Sequence, residues 1–203
     1  MMDFLALSQK CAPSVEPRIM VAILRVESEF NPFAIGVVNG RLERQPRNMA
    51  EAVATAQALE RNGWNFSVGA AQVNRYNLAK YKLDYANAFD PCASLHAGAG
   101  IFKDCYDRAK GKAPDDRMAW NRAFSCYYSG NFKTGFKADF KGQPSYVSKV
   151  LASAVGPTPI PVHGYGQVAH ALRRAPAATS QLGSPVAIAA RGDAWSVFGA
   201  KEI

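Results

Sequence analysis

Residues 16–32 read EPRIMVAILRVESEFNP, and this stretch decides the fold. Apolar side chains recur through residues 19–26 and predict a broadly buried helix. Pro17 suits the first turn, where a backbone N–H has no intrahelical partner. The residue before Pro32 is pushed out of the α region, so the helix is expected to end there. Glu27 is therefore predicted to lie in the last turn of a largely buried helix.

Glu27 is the candidate catalytic residue. A carboxylate at the end of an apolar helix is costly when charged, and the helix C-terminus adds negative potential, so the protonated form is favoured. A carboxyl group that is still protonated near neutral pH can give its proton to the oxygen of a glycosidic bond, as in lysozyme. A lone glutamate is more commonly an exposed residue on a helix end, so the assignment depends on companion motifs.

The sequence offers no evident second carboxylate of the kind that two-carboxylate glycoside hydrolases use. Glu29 lies two positions after Glu27, about 200° round the helix, and cannot face the same sugar. Asp84 and Asp90 occur further along the chain, but nothing around them marks either as a nucleophile. The sequence therefore indicates a single catalytic carboxyl group, that of Glu27.

Residues 69–74, GAAQVN, are the second motif. The glycine permits a turn that other residues resist, and it lets the backbone approach a sugar. Gln72 carries donors and acceptors for N-acetyl or hydroxyl groups, and Ala71 and Asn74 are predicted as further glycan contacts in the same turn. An isolated Gly-x-x-Gln is more often an ordinary loop, but in order after the Glu27 helix it is a strong signal.

Residues 123–131, AFSCYYSGN, are the third motif. Tyr127 is predicted to lie beside the acid, where its phenol can hydrogen-bond the carboxyl group and line the face of a sugar. Tyr128 is a second candidate glycan contact. The alternative for both is an ordinary place in the core at the end of a helix.

Together, the order and spacing of these motifs resemble the lytic transglycosylases of the lysozyme superfamily. The resemblance covers about residues 4–152 and is closest to the branch that cuts the cell wall for VirB-type type IV secretion systems. Ala70 and Ala71 replace bulkier family residues, Val68 stands where the family has a hydroxyl residue, and Tyr128 replaces an asparagine. The Val68 departure removes the usual hydroxyl partner of the catalytic carboxyl.

The resemblance implies an α+β, mainly α, lysozyme-like two-lobed domain with a small β-hairpin element. It also implies cleavage of the β-1,4 bond between N-acetylmuramic acid and N-acetylglucosamine with 1,6-anhydromuramoyl ends. Glu27 would act first as acid and then as base, with no metal and no cofactor. Two alternatives remain: a glycan-binding assembly module with little catalysis, and a hydrolytic lysozyme that uses the same Glu27.

The chain divides at about residue 155. Residues 1–155 are predicted to form the domain, with an Asn39-Gly40 turn that indicates a hairpin. Further helices are predicted over residues 3–11, 49–61, 91–110, 115–128 and 145–154. Residues 156–203 are rich in Pro, Ala, Gly and Ser and are typical of a flexible tail. Trp195 and Phe198 near its end either form a docking peptide for secretion-system components or fold back on the domain.

The four cysteines are Cys11, Cys92, Cys105 and Cys126, an even number that suits two disulfides in an oxidising compartment. Cys92 and Cys105 are expected on one helix about 20 Å apart, beyond disulfide reach. Cys11 would then pair with one of them and Cys126 with the other. Four buried thiols in a cytosolic protein are the alternative.

The formal net charge is +8, which favours a polyanionic partner such as bacterial wall polymer. No block of Lys and Arg and no nucleic-acid fold signature stands out, so a nucleic-acid partner is not expected. Residues 1–10 lack the basic and apolar regions of a signal peptide, and no apolar run is long enough for a transmembrane segment. A periplasmic location is therefore inferred from the chemistry alone.

Overall fold

The computed structural model describes residues 3–155 and the backbone of residues 188–189. The described part is mainly helical, with short strands and three turns of 3₁₀ helix. Its helices are α1 (Phe4–Cys11), α2 (Pro17–Ser28), α3 (Met49–Arg61), α4 (Pro91–Lys110), α5 (Asp116–Ser129) and α6 (Tyr146–Val155). Its strands are β1 (Ile35–Val37), β2 (Arg41–Leu42), β3 (Phe66–Val68), β4 (Val73–Asn74) and β5 (Ile188–Ala189). The α+β, mainly α, lysozyme-like class is confirmed.

The helix starts are fixed by side-chain caps that satisfy the first N–H groups of each helix. Asp3 accepts from the N–H groups of Leu5 and Ala6 at 2.9 and 3.1 Å, and Asn48 accepts from Glu51 N at 2.9 Å. Asp90 and Asp115 cap α4 and α5 in the same way. The predicted helix bounds hold to within one or two residues because these caps are local.

The small sheet has the strand order β1-β3-β4, and both pairs are antiparallel. In the first pair Ile35 lies opposite Val68, and in the second Val68 lies opposite Val73. β3 and β4 form a hairpin, and the 69–72 turn that joins them is the Gly-Ala-Ala-Gln motif. The sheet therefore presents that motif to the helices.

The hairpin predicted at Asn39-Gly40 is wrong. The turn exists, with Asn39 at φ 59°, but β1 pairs with β3 and β2 pairs with β5. The partner of β1 comes from 31 positions further along the chain because the buried face of Ile35 and Val37 packs with that of β3. The hairpin of the fold is thus the β3–β4 pair.

A single core surrounds α2, in which Met20, Ile23 and Leu24 are completely buried. Helices α4 and α5 pack on each other through Phe102 and Phe124, whose ring centroids lie 5.2 Å apart. α6 packs against α2 and α5, so the chain after α5 returns to the central helix.

Both disulfides form, with the pairing that the sequence left as one of two options. Cys11 on α1 is bonded to Cys92 on α4, and Cys105 on α4 is bonded to Cys126 on α5. Helix α4 is therefore tied covalently at two points, through Cys92 in its first turn to α1 and through Cys105 to α5, which carries the tyrosine motif.

In the described part of the chain, none of the helices combines the length and the apolar character that crossing a bilayer requires. Residues 188–189 pair with β2, with Arg41 opposite Ala189. Trp195 and Phe198, the predicted docking aromatics, lie outside the described residues.

Candidate active site

Glu27 lies in the last turn of α2 and is 4% exposed, as predicted. The helix ends immediately afterwards because Glu29 and Phe30 both have left-handed backbone conformations, with φ of 51° and 66°. The chain thereby turns away before Asn31-Pro32 and leaves the Glu27 side chain facing inward. Glu29 is exposed, as expected for a residue on the opposite side of the helix.

The carboxyl group of Glu27 accepts a hydrogen bond from Tyr146 at the start of α6. The Tyr146 hydroxyl lies 2.7 Å from Glu27 Oε1, and Tyr146 is itself 4% exposed. Tyr146 is not among the site residues predicted from the sequence. The available signal was a tyrosine at the start of an apolar helix, followed by Val147 and Val150 on the same buried face.

Tyr146 is held in place by Tyr128. Their ring centroids lie 4.6 Å apart with an interplanar angle of 17°, so the rings stack. The Tyr128 hydroxyl donates to Asp139 Oδ1 at 2.7 Å, and Lys149 Nζ lies 3.7 Å from the other oxygen of Asp139. We call Glu27, Tyr127, Tyr128 and Tyr146 the tyrosine cluster. Asp139 fixes its outer edge.

The Gly69–Gln72 turn is fastened directly to the end of the catalytic helix. Ser28 donates through Oγ to Ala70 O at 2.7 Å. Gln72 is 1% exposed, and its Nε2 donates to Ala34 O at 3.0 Å and to Gly69 O at 2.9 Å. Gln72 therefore shapes the turn in this structure, and its contact with a glycan stays a prediction.

Tyr127 lies beside the acid, but it does not donate to it. Its hydroxyl donates to Ala71 O at 2.6 Å, and a phenol has one proton to give. The predicted hydrogen bond from Tyr127 to the carboxyl group is thus replaced by the one from Tyr146. Val68 cannot make the hydroxyl contact to the acid that the family makes from this position. Tyr146, at the start of α6, supplies a hydroxyl to Glu27 instead.

Two glycines let α4 approach the turn closely. A side chain at Gly69, which has φ 78°, would meet Ser94 Oγ on α4 at 2.7 Å, and one at Gly98 on α4 would meet Ala71 Cβ at 2.7 Å. Such distances leave no room for a methyl group. The close packing holds the turn rigidly between α4 and the end of α2.

Ala71 and Asn74 have structural partners. Ala71 is fully buried, its N–H donates to Ser94 Oγ at 3.1 Å and its carbonyl accepts from Tyr127, so the structure gives it no surface for a glycan. Asn74 donates to Asn65 Oδ1 at 2.8 Å, and it also lines a pocket. The glycan contact of Asn74 stays a prediction that this position supports.

The pocket has a volume of about 240 Å³ and lies between α4, the end of α5 and the 3₁₀ turns after β4. Tyr127 and Tyr128 line it together with Asn74. Three of the predicted site residues, Tyr127, Tyr128 and Asn74, therefore line the same pocket.

The three tyrosines of the cluster are electrostatically coupled to Glu27. Burial, and then the charge of Glu27, raise the pKa values of Tyr127 and Tyr146 well above the ordinary tyrosine value. Burial, followed by Asp139 and Glu27, also raises the pKa of Tyr128. The phenols therefore stay protonated and can serve as donors next to the acid.

The aromatic residues around the turn have different positions. Phe66 is fully buried and packs on Tyr85 at a centroid distance of 5.9 Å, so it belongs to the core. Trp64 is partly buried. Tyr76 is 60% exposed beneath the guanidinium of Arg75, and it keeps the predicted option of stacking on a sugar. In residues 3–155, no group of three or more His, Cys, Asp or Glu side chains is placed to hold a metal ion.

Comparison with known proteins agrees with this site. Residues 4–146 match the family model described as "Transglycosylase SLT domain". The chain is similar to "Type IV secretion system protein virB1" of Brucella suis, with 54% identity over 188 residues that cover 92% of this chain and 76% of that protein. It is also similar to "Protein virB1" of Agrobacterium fabrum, with 30% identity over 152 residues that cover 75% of this chain and 59% of that protein.

No solved structure gives a significant match to the chain. The family match spans well over half of the sequence and includes all three motifs. The chain therefore belongs to the transglycosylase SLT family, the lytic transglycosylases that cleave glycosidic bonds of peptidoglycan.

Proposed function

We propose that this enzyme cleaves the β-1,4 bond between N-acetylmuramic acid and N-acetylglucosamine and leaves 1,6-anhydromuramoyl ends. The observation that carries the proposal is the buried carboxyl group of Glu27 with the Tyr146 hydroxyl 2.7 Å from its Oε1. Burial disfavours the charged form of a carboxyl group, so a proton is available for a leaving oxygen. The pocket lined by Tyr127 and Tyr128, whose pKa values are both raised by burial and by the charge of Glu27, has room for a sugar ring.

In the first step Glu27 gives its proton to the glycosidic oxygen, and the bond from that oxygen to C1 of the muramic acid breaks. In the second step the ionised Glu27 takes the proton of the C6 hydroxyl of the same sugar. The C6 oxygen attacks C1 and closes the 1,6-anhydro ring, so Glu27 ends protonated and no water is consumed. One carboxyl group acts as acid and then as base.

Tyr146 can both stabilise the ionised form of Glu27 and orient its carboxyl group. Its hydroxyl donates to the carboxylate that exists between the two steps, and such a bond stabilises the charged form. The stack on Tyr128 restricts the ring of Tyr146, so the carboxyl group is held in one orientation. Orientation of the acid within hydrogen-bond reach of the proton is what general acid–base catalysis requires.

We propose further that the enzyme opens the wall locally for assembly of a type IV secretion system and works in the periplasm. The support is the similarity to the virB1 proteins, one of which is named as a type IV secretion system protein. The two disulfides suit an oxidising compartment. Peptidoglycan strands would be the substrate, and the tail after residue 155 would contact components of the apparatus.

Digestion of purified sacculi by the enzyme, with mass spectrometry of the products, tests the reaction. Anhydro ends are expected with the wild type and not with Glu27→Gln, which keeps the shape of the side chain but cannot transfer a proton. Glu29→Gln is the matched control, because Glu29 is exposed two positions away, and it should leave the products unchanged. Reducing muramic ends would instead show hydrolysis by the same acid.

Secretion assays separate cutting from assembly. In cells without redundant wall-cutting enzymes, Glu27→Gln should lose secretion as the deletion does. Full secretion by this variant would favour the alternative of a glycan-binding assembly module.

A further inference from the structure

The pocket lined by Tyr127 and Tyr128 also carries charged side chains that the cleavage chemistry does not use. They are Lys80, Asp104 and Arg108, which we call the charged end of the pocket. We propose that this end receives a carboxylate of the peptide stem attached to N-acetylmuramic acid. The inference rests on the proposed function, because such stems accompany the glycan that the enzyme would cleave.

One face of α4 forms part of the pocket lining. Ile101, Asp104, Cys105 and Arg108 follow at intervals of three, one and three residues, which places them on the same side of a helix. The 3₁₀ turn that contains Lys80 lies opposite. A group that enters the pocket beside Tyr127 therefore also meets this charged end.

The charged end carries a net positive charge. Lys80 and Asp104 form an ion pair, and the Tyr81 hydroxyl donates to Asp104 Oδ2 at 3.2 Å, so the acid has two partners. Arg108 is the second cation of the charged end. The hydrogen bond from Lys80, and then the charge of Arg108, lower the pKa of Asp104, but the direct ion pair of Asp104 is with Lys80. An anion that enters the pocket gains attraction from Arg108 without having to displace the Lys80–Asp104 pair.

The partners of Arg108 are weak ones. Its Nη2 lies 2.8 Å from Cys126 Sγ and 3.5 Å from Cys105 Sγ, and its Nε lies 3.3 Å from Asp104 O. Sulfur accepts hydrogen bonds poorly, and none of the described residues accepts from Nη1. A carboxylate would give this guanidinium the strong, charge-assisted bonds that the protein does not provide.

The site is also preorganised. The Cys105–Cys126 disulfide crosses the pocket wall between α4 and α5 and lies against the Arg108 guanidinium. The ring of Phe132 lies 5.8 Å from the same guanidinium and supports it from another side. Little ordering of the arginine is then needed on binding, which favours affinity for a matching group.

The peptide stem is the source of carboxylate that fits this chemistry. In stem-bearing peptidoglycan the lactyl carboxyl of muramic acid is consumed in an amide bond, so the sugars themselves are neutral. The free carboxylates belong to the amino acids of the stem. An anion held near the muramic acid while its C1 lies at Glu27 would therefore come from the peptide.

The test compares two substrates that differ only in charge: glycan strands with free stem carboxylates, and the same strands after conversion of those carboxylates to amides. The measured quantity is the ratio of kcat/KM on the acid form to that on the amide form. We expect a ratio of about ten for the wild type, since a hydrogen-bonded charge pair is of that order. In Arg108→Gln the ratio should fall towards one, and Arg108→Lys should retain part of it.

Lys110→Gln is the matched control. Lys110 is exposed on the same helix, outside the pocket, and its loss changes the net charge equally. The ratio should stay at the wild-type value in this variant. A wild-type ratio of one, or an equal ratio in wild type and Arg108→Gln with both disulfides intact, would overturn the stem site.

Binding separates this inference from the proposed cleavage. Calorimetry of Glu27→Gln with a disaccharide-peptide fragment should give about tenfold tighter binding of the acid form than of its amide. If the wild type cuts neither substrate while this preference persists, the cleavage proposal is wrong and the stem site stands. Equal binding of both forms contradicts the stem site even in an active enzyme.

Discussion

The hydroxyl of Tyr146 lies 2.7 Å from Oε1 of Glu27, although 119 positions separate the two residues in the chain. The bond joins the start of α6 to the end of α2, and both residues are buried. The site is therefore complete only when the last helix of the domain has packed against the central one. Helix α6 is therefore part of the packed unit that holds Glu27.

Tyr146→Phe should lower kcat by about 10- to 100-fold with a smaller change in KM. The variant keeps the stacking ring but removes the donor that stabilises the ionised carboxyl group between the two steps, a loss of about 1–3 kcal/mol. The alkaline limb of the kcat profile, where Glu27 loses the proton that it must donate, should move to higher pH, since loss of a donor to the charged form favours the protonated form. Steady-state kinetics over pH on defined glycan strands measures both effects.

Tyr106→Phe is the control for that variant. Tyr106 is a partly buried tyrosine on α4 whose ring packs on Trp120 at a centroid distance of 4.7 Å, away from Glu27. It should keep wild-type kcat. Wild-type kcat and an unmoved pH profile in Tyr146→Phe would show that the hydroxyl only fills space.

Gly98→Ala should destabilise the fold by about 1–3 kcal/mol and reduce activity. The added methyl group would lie 2.7 Å from Ala71 Cβ and 3.0 Å from the Tyr127 hydroxyl, so the turn or the tyrosine must shift. Gly111→Ala, where a new Cβ has nothing within 4 Å, should be close to neutral. Denaturant unfolding of both variants gives the comparison, and equal stabilities would mean that α4 can move away from the turn at no cost.

Stability should fall as the pH rises above about 10. The pKa values of Tyr127 and Tyr146 are raised by burial and by Glu27, so the fold favours the neutral phenols. Their stabilising contribution is fully present below the unfolded tyrosine pKa of about 10 and is lost as the pH rises towards the folded values. Tyr146→Phe has one such group fewer, so its stability should fall less steeply with pH.

Tyrosinate absorbance follows this transition directly. In the wild type the two buried phenols should ionise only together with unfolding, as monitored by circular dichroism. Ionisation of every tyrosine in a protein that is still folded at pH 10 would contradict the assignment.

Removal of the disulfides should cost unequal amounts. The bridges span sequence separations of 81 and 21, for which the chain-entropy model gives about 4.5 kcal/mol for Cys11–Cys92 and about 3 kcal/mol for Cys105–Cys126. Paired Cys→Ser variants, compared by guanidinium unfolding, measure the difference. The Cys105–Cys126 variant should in addition lose activity, because this bridge forms part of the pocket wall. Retained activity there would show that packing alone holds the wall.

The helices of this fold could be predicted because their signals are local. Asn48 begins α3, Asp90-Pro91 begins α4, and Pro17 occupies the first turn of α2, each acting on neighbouring backbone. The burial of Glu27 followed from the apolar helix around it. Cysteine spacing limited the disulfides to two pairings, but only the packing of α1 on α4 selects Cys92 as the partner of Cys11.

The strand pairing and the donor to Glu27 could not be predicted, because they depend on contacts between distant parts of the chain. Asn39-Gly40 has the sequence of a hairpin turn, yet β1 finds its partner in β3 because burial of both strands outweighs the local turn. The family pattern predicts Tyr127 as the donor to Glu27, since its motif places a tyrosine beside the acid. Sequence order cannot show that Tyr127 gives its proton to Ala71 while Tyr146 reaches the acid.

The Cys105–Cys126 disulfide makes the final structure of this enzyme depend on the redox state of its compartment. In a reducing cytoplasm the two sulfurs would stay apart as thiols, and the pocket lined by Tyr127 and Tyr128 would lack the covalent link between α4 and α5. With the periplasmic location that we propose, the enzyme would reach its cross-linked form only in the compartment that holds its substrate.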